Sequence, residues 1–438
     1  MSFVKYLCFF AMLLCFPSQA GAENLVYDLR GAIERALAAN PSVESKLLAV
    51  DRAKMEVGGA ASAFYPTVTL FTNRGELHNS GDTGTSEDFS NKTKGSGMRV
   101  NVNVFSGFSH LNNLHRTLIN VDVEQARHSL ARLELIGNTQ LQFLQLLRSR
   151  EDMRTVQESK KRITTQLEAA KAFVKVGMAP YLNVLQNEVE LSSVNQEEIR
   201  AANHIRNAEV TLNRYLGYTA ETPVTYVGDL KSFSGVVNYT EEEAIKVSLL
   251  SRPDLVIAQK SVAAALKQAH ATAGRYLPTV NVSYDNQRYA KDYTDKGYRG
   301  DDYDRNYWNL GLNVSWEIFS GGSTTYAVLG EKKNVDSLRK AYEDAMNGAR
   351  AEVIKSLLDI EAARELIATS RKGVEAATES YAMANKRYTT NTGTITELLD
   401  AQLRLTEAEA KYTAALAEYQ ASRSRFFYNI GKENPGLD

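Results

Sequence analysis

Two carboxylates, Glu397 and Asp400, stand three residues apart near the end of the chain, in the opening turns of an expected helix. That spacing projects both from one helical face. Such a pair can do acid–base work, or it can gather cations such as metal ions or polyamines in its negative field. Acid–base catalysis needs an enclosed substrate pocket, and the exposed helical tip expected here offers none. The six histidines, His78, His110, His115, His128, His204 and His270, include no pair at the zinc-protease spacing. Gly-x-Ser-x-Gly and Walker A patterns are absent, and Gly321-Gly322 reads as a strand-to-helix turn. No enzyme activity, bound metal or other cofactor is expected.

The elements that position this pair are written twice. Tyr65-Pro66 returns as Leu277-Pro278 at an offset of 212 residues. Val104-Phe105-Ser106-Gly107 returns as Ile318-Phe319-Ser320-Gly321 at 214, and Tyr181 to Gln186 returns as Ile395 to Asp400 at the same offset. Arg214-Tyr215-Leu216-Gly217 has its partner in Tyr428-Asn429-Ile430-Gly431. A unit of about 200 residues in tandem follows. The expected boundaries are 23–230 for the first repeat, 231–432 for the second and 433–438 for a tail. Residues 1–22 have the composition of a secretory signal: Lys5, an apolar run from Leu7 to Phe16, and Ala20-Gly21-Ala22 before Glu23. Cys8 and Cys15, the two cysteines of the chain, would leave with it, which excludes a disulfide framework. The formal charge of −1 becomes −2 without Lys5, giving no reason to expect a nucleic-acid partner.

Within each repeat the apolar period changes. Asp28 suits a helix N-cap, with a break at Asn40-Pro41; Thr240 and Glu243 form a capping box, with a break at Arg252-Pro253. Pro66 and Pro278 then stop the helices. Strands are expected at about 66–77, 97–106, 278–286 and 307–318, where Val100, Val102, Val104 and then Leu310, Leu312, Val314 alternate with Asn, Ser and Gly. One apolar face over nine or ten residues fits a sheet over a soluble core or a lipid-facing barrel wall. Three features favour the wall. The polar face holds Asn, Ser and Thr rather than Lys and Glu. Trp308 and Trp316 bracket one strand as an aromatic girdle, and long polar loops join the strands, Gly75 to Gly97 and Asn286 to Asn306. Four strands cannot close in lipid, so such a chain must oligomerise. Helices of unusual length follow, from His110 to about Lys175 and from Thr324 to about Thr390, each able to span about 100 Å. Their returning partners carry heptad-like seams: Leu182, Leu185, Val189 and Ile199 in one, Leu398, Leu405, Ala408 and Tyr412 in the other.

This order of repeats, proline-opened strands, Phe-Ser-Gly turns and helical hairpins bearing Val184-Leu185-Gln186 and Leu398-Leu399-Asp400-Ala401-Gln402 resembles the TolC-like outer-membrane efflux proteins of Gram-negative bacteria. The resemblance implies a membrane β-barrel joined to a long α-helical barrel. A homotrimer with four strands per subunit would close a twelve-stranded barrel in outer-membrane lipid, continued by a helical tunnel through the periplasm. It also implies a periplasmic adaptor protein and an inner-membrane transporter as partners, and drugs or secreted proteins as cargo. At the tunnel's tip, Gly177 and its offset partner Asn391 begin the two hairpin turns, with Gly393 two residues on. Glu397 and Asp400 match an acidic pore constriction, whereas their first-copy counterparts Asn183 and Gln186 are neutral. Tyr388 matches a tyrosine that holds the mouth closed by bonding an aspartate, whose position is Asn183 here; a latch arginine falls at Gly393 and has no counterpart. The rival expectation is a helical-stalk surface protein for adhesion or scaffolding, which explains the helices but not the duplicated order or the Asn-lined strands.

Overall fold

The computed structural model describes residues 25–79, 89–231, 237–293 and 303–434, so the expected signal at 1–22 lies outside the described residues. Each repeat begins with a broken helix: α1 (Leu29–Ala39) and α2 (Pro41–Ala61) in the first, α5 (Glu241–Ser251) and α6 (Pro253–Ala273) in the second. Asp28 caps α1 by accepting the Gly31 amide at 2.7 Å, and the Thr240–Glu243 capping box on α5 is complete. Each proline stands at the first position of the second segment, where its missing amide leaves no helical bond unmade.

Two strands follow in each repeat: β2 (Thr67–Asn79) and β3 (Phe89–Ser106), then β5 (Thr279–Tyr293) and β6 (Tyr303–Ser315). They form one antiparallel sheet in the order β2-β3-β5-β6, so the two repeats meet along β3 and β5. The strands run further into the polar stretches than the expected bounds. Beyond Phe71 and before Met98 the residues turn mostly polar, with Leu77 an exception, which erases the period-two signal while the backbone ladder continues. Trp316 corrects the girdle expectation in part: β6 ends at Ser315, and Trp316 lies past it, its indole N–H donating to the Tyr276 carbonyl at 3.0 Å. The sheet's apolar face is bare in the single chain, with Leu70, Leu312 and Trp308 each more than 60% exposed. On the opposite face Arg99 reaches Asp285 at 2.5 Å, and Asn103 donates to Asn281 at 2.8 Å.

The long helices are α3 (Ser109–Lys175) and α7 (Ser323–Thr389), 67 residues each, returning through α4 (Leu182–Tyr215) and α8 (Ile395–Asn429). At 1.5 Å per residue α3 and α7 are about 100 Å long. Helix α3 packs against α4 and also against α8, so it joins the two hairpins. The main core sits where α1, α3 and α4 meet a pair of short parallel strands absent from the sequence expectation, β1 (Leu25–Tyr27) and β4 (Val224–Tyr226). Three-residue strands carry too little periodicity to be read from sequence. Gly217 and Gly431, at corresponding positions after α4 and α8, have φ of +76° and +72° and press against the two helix breaks. A Cβ there would come 2.6 Å from the Ala39 carbonyl oxygen and 2.8 Å from the Arg252 amide nitrogen, so glycine alone fits. The expected α4 seam does not pack within the protomer. Leu182, Leu185, Val189 and Ile199 are exposed, while Val184, Val194, Ala201 and Ala208 face the protomer's interior. In α8, Leu398 and Leu405 are buried as a packing seam requires. None of the described helices is long and apolar enough to cross a membrane.

Candidate functional site at the helical tip

The far ends of the two hairpins form matching turns. In the first, Gly177 takes φ +75°, its amide donates to the Val174 carbonyl, and the Met178 amide reaches back to Phe173 at 2.8 Å. In the second, Asn391 takes φ +58°, its amide donates to Tyr388, and the Thr392 amide reaches Arg387 at 2.8 Å. These are the same left-handed helix termination at equivalent places, with asparagine tolerating what glycine adopts freely. Gly393 is not left-handed; it is small because a Cβ would lie 2.9 Å from Arg387 Cβ and 3.3 Å from Glu397 Oε2.

Helix α8 then starts with a cap that α4 lacks: the Thr394 hydroxyl accepts the Glu397 amide at 3.2 Å, whereas the first copy has Pro180 at that place. The cap sets the orientation of the turn carrying Glu397 and Asp400. Both carboxylates are half-exposed, and each has an arginine partner in its own protomer. Glu397 lies 3.5 Å from Arg387, and Asp400 lies 2.8 Å from Arg404 one turn along. The tip is therefore not a bare acidic patch; guanidinium groups offset its charge. Arg404 was legible as an i,i+4 partner of Asp400. Arg387 was not, since only the folded turn brings it to Glu397.

Tyr388 is buried by the contact between hairpins. Its ring meets Phe173 of α3 edge-on with centroids 5.9 Å apart, and it clusters with Ile395 and Leu398. The hydroxyl makes no hydrogen bond within the protomer, so the expected bond to Asn183 is not formed there. Asn183 instead accepts the Asn187 side-chain amide at its carbonyl, and the Gln186 Oε1 atom is buried without a partner. Above Tyr388 a polar network that sequence reasoning missed ties α3 to α8. Gln166 donates to the Gln402 carbonyl oxygen at 2.9 Å, and Gln402 donates to the Ser159 backbone at 3.2 Å. Arg162 closes this seam on Glu409 at 3.0 Å. The described structure thus brings Tyr388, Glu397 and Asp400 to one end of the molecule with Gly177, Asn391, Gly393, Asn183 and Gln186, and leaves Trp308 on the sheet and Trp316 at the junction of sheet and helices.

Comparison with known proteins accords with this architecture. The family model described as "Outer membrane efflux protein" matches residues 32–218 and again 244–430, one match per repeat. The outer membrane efflux protein BepC of Brucella suis biovar 1 (strain 1330) is 23% identical over 371 residues, 84% of this chain and 77% of that protein. The outer membrane protein TolC of Escherichia coli (strain K12) is 23% identical over 427 residues, 96% of this chain and 84% of its own length. Among solved structures, the outer-membrane channel OprN superposes with a TM-score of 0.80 at 17% identity, covering 94% of this chain and 91% of that one. The chain belongs to the outer membrane efflux protein family: it is an outer-membrane channel component that extends into the periplasm.

Proposed function

We propose that three copies of this chain close into one channel, a passive conduit for drugs or secreted proteins handed over by an inner-membrane transporter through a periplasmic adaptor. One observation carries the reading. The four-stranded sheet has an apolar face exposed to its surroundings and two unpaired edges, β2 and β6, each 13 residues long. Unpaired backbone is too costly in lipid to persist, so β6 of one copy must pair with β2 of the next until the ring closes. The exposed α4 seam would continue the same contact along the helices.

In this reading the tip turns form the constriction. Glu397 and Asp400 from three copies line it, Arg387 and Arg404 moderate its charge, and Tyr388 fixes one hairpin against the other. The supporting observations are the shared end of the molecule, the Thr394 cap on the acidic turn and the buried Tyr388 ring. Single-channel conductance of the purified assembly in planar bilayers tests it, with divalent cations titrated against wild type and E397A/D400A. Stable channels whose cation block disappears in the double variant are expected. Block that survives the substitutions would remove the carboxylates from the constriction. Silence from inserted wild type and Y388F alike would remove the conduit.

A further inference from the structure

The apolar band on the sheet stops at a defined row. On one face, in register across the four strands, stand Leu70, Met98, Asn286 and Trp308. The next row on that same face is Thr72, Ser96, Arg288 and Asn306, and the one after is Arg74, Lys94, Ala290 and Asp304. Lys92 follows, between Glu76 and Asp292. Side chains two apart share a face, so these cations point the same way as the lipid-facing aliphatic residues and not into the channel. The helices all attach at the opposite ends of the strands, near Thr67, Ser106, Thr279 and Ser315. The cationic rows therefore lie on the side remote from the periplasm. In outward order the barrel wall passes from Val and Leu to Trp308, then through a polar row holding Arg288 to the row of Arg74 and Lys94. Cations held at that depth and facing outward meet the phosphate layer of the surrounding lipid.

The local charges are only partly matched. Arg288 is paired with Asp304; Lys94 lies 3.7 Å from Asp292, and Lys92 lies 4.0 Å from Glu76. Exposed pairs at such distances are weak enough for a ligand to rearrange. Arg74 has no acidic partner among the described residues. It lines an open cavity of about 550 Å³ together with Thr72, Lys94, Ser96 and Arg288; Asp292 and Asp304, the partners of Lys94 and Arg288, also line it, so its charged groups are three cations against two carboxylates. The planar fork of a guanidinium suits two phosphate oxygens at once, a neighbouring ammonium adds a second charge, and the two hydroxyls can donate further bonds.

We propose that this cavity is a binding site for the phosphorylated head group of an outer-leaflet lipid, with Arg74 as its anchor and Lys94 as the second cation. The site rests on the outer-membrane placement and not on the constriction, so its test is independent of gating. The full-length assembly is placed in phosphatidylcholine nanodiscs doped with diphosphoryl lipid A, and the retained lipid A is counted by native mass spectrometry. Wild type should retain lipid A, and R74A/K94A should lose roughly tenfold in apparent affinity. R74K should restore part of it, and R99A, which removes a cation from the opposite face, should leave it unchanged. Conductance of R74A/K94A should match wild type, which separates this site from the channel reading. Unchanged retention in R74A/K94A, or an equal loss in R99A, overturns the site. Competition by free inorganic phosphate at the lipid's own affinity would overturn the lipid as its occupant.

Discussion

At the residue scale the proposed constriction at the helical tip turns on compensated charge. Glu397 and Asp400 each sit beside an arginine of their own protomer, so the cation affinity of the tip depends on the arginines as much as on the acids. The Asp400–Arg404 pair is exposed at i,i+4, so solvent screens it and the guanidinium offsets the carboxylate only in part. Removing Arg404 should therefore free Asp400 to attract cations and lower the divalent concentration for half-block by about twofold. Bilayer recordings of R404A against wild type measure this, and weaker block in R404A would contradict the arrangement. Tyr388 makes the complementary case. A buried hydroxyl without a partner costs about 1–3 kcal/mol, while its ring packs on Phe173 with or without the oxygen. Y388F should leave the folded protomer at least as stable as wild type. If the hydroxyl finds its partner only in the closed assembly, Y388F should also raise the fraction of open time.

At the element scale, turns and helix breaks are the parts that report on themselves. Asn391 holds a left-handed conformation that glycine adopts at little cost, and its equivalent in the other repeat is Gly177. N391G should stabilise the second turn by up to about 1 kcal/mol, and G177A should destabilise the first by a similar amount. Thermal melting of the two variants should shift in opposite directions. The break between α5 and α6 is held differently. Arg252 grips Asp254 at 2.7 Å and reaches Glu352 of α7 at 2.5 Å, and it touches the Asn429 carbonyl at the end of α8. Burial opposes charge on Asp254, but the Arg252 hydrogen bonds outweigh it and hold the carboxyl below its usual pKa. A depressed native pKa means the stabilisation is present above the ordinary carboxylate range, and is lost as pH falls through the lower native value. R252A should cost about 2 kcal/mol near neutral pH, and the difference from wild type should shrink in acid below about pH 4. A melting series over pH reads both effects. These elements also show what the sequence made legible. Helix breaks, caps and turn glycines were readable because each is a local rule repeated at a fixed offset. The β1–β4 pair, the outer halves of the strands and the Arg387–Glu397 contact were not. They depend on pairing across the chain or on a ladder that continues after the apolar alternation has ended. Sequence placed Leu182, Leu185, Val189 and Ile199 on a packing seam; the structure turns them out of the protomer, towards a surface the single chain does not cover.

At the scale of the whole molecule, the decisive feature is incompleteness. The tandem repeats meet along β3 and β5, which satisfies the middle of the sheet and leaves β2 and β6 as its edges. A duplication that solved the edge problem internally would have paired these strands with each other. Here the described sheet stays open and the α4 seam stays exposed, and both are relieved by one operation, rotation onto an identical copy, which leaves the apolar face to lipid. The chain lends itself to a direct test because its two cysteines, Cys8 and Cys15, both precede the described structure. Thr69 on β2 and the run Asn309, Gly311 and Asn313 on β6 all lie on the polar face. Pairing Thr69→Cys in turn with Asn309→Cys, Gly311→Cys or Asn313→Cys scans the inter-copy register in steps that keep side chains on that face. Two strands in register bring facing Cβ atoms within disulfide reach, and a shift of two residues does not. One combination should therefore oxidise to a covalent trimer on a denaturing gel and the others should not. A dimer as the end point of complete oxidation, or equal cross-linking by every pair, would mean that the edges do not close a ring of three. A single productive register would fix both the closure and the stagger of the barrel.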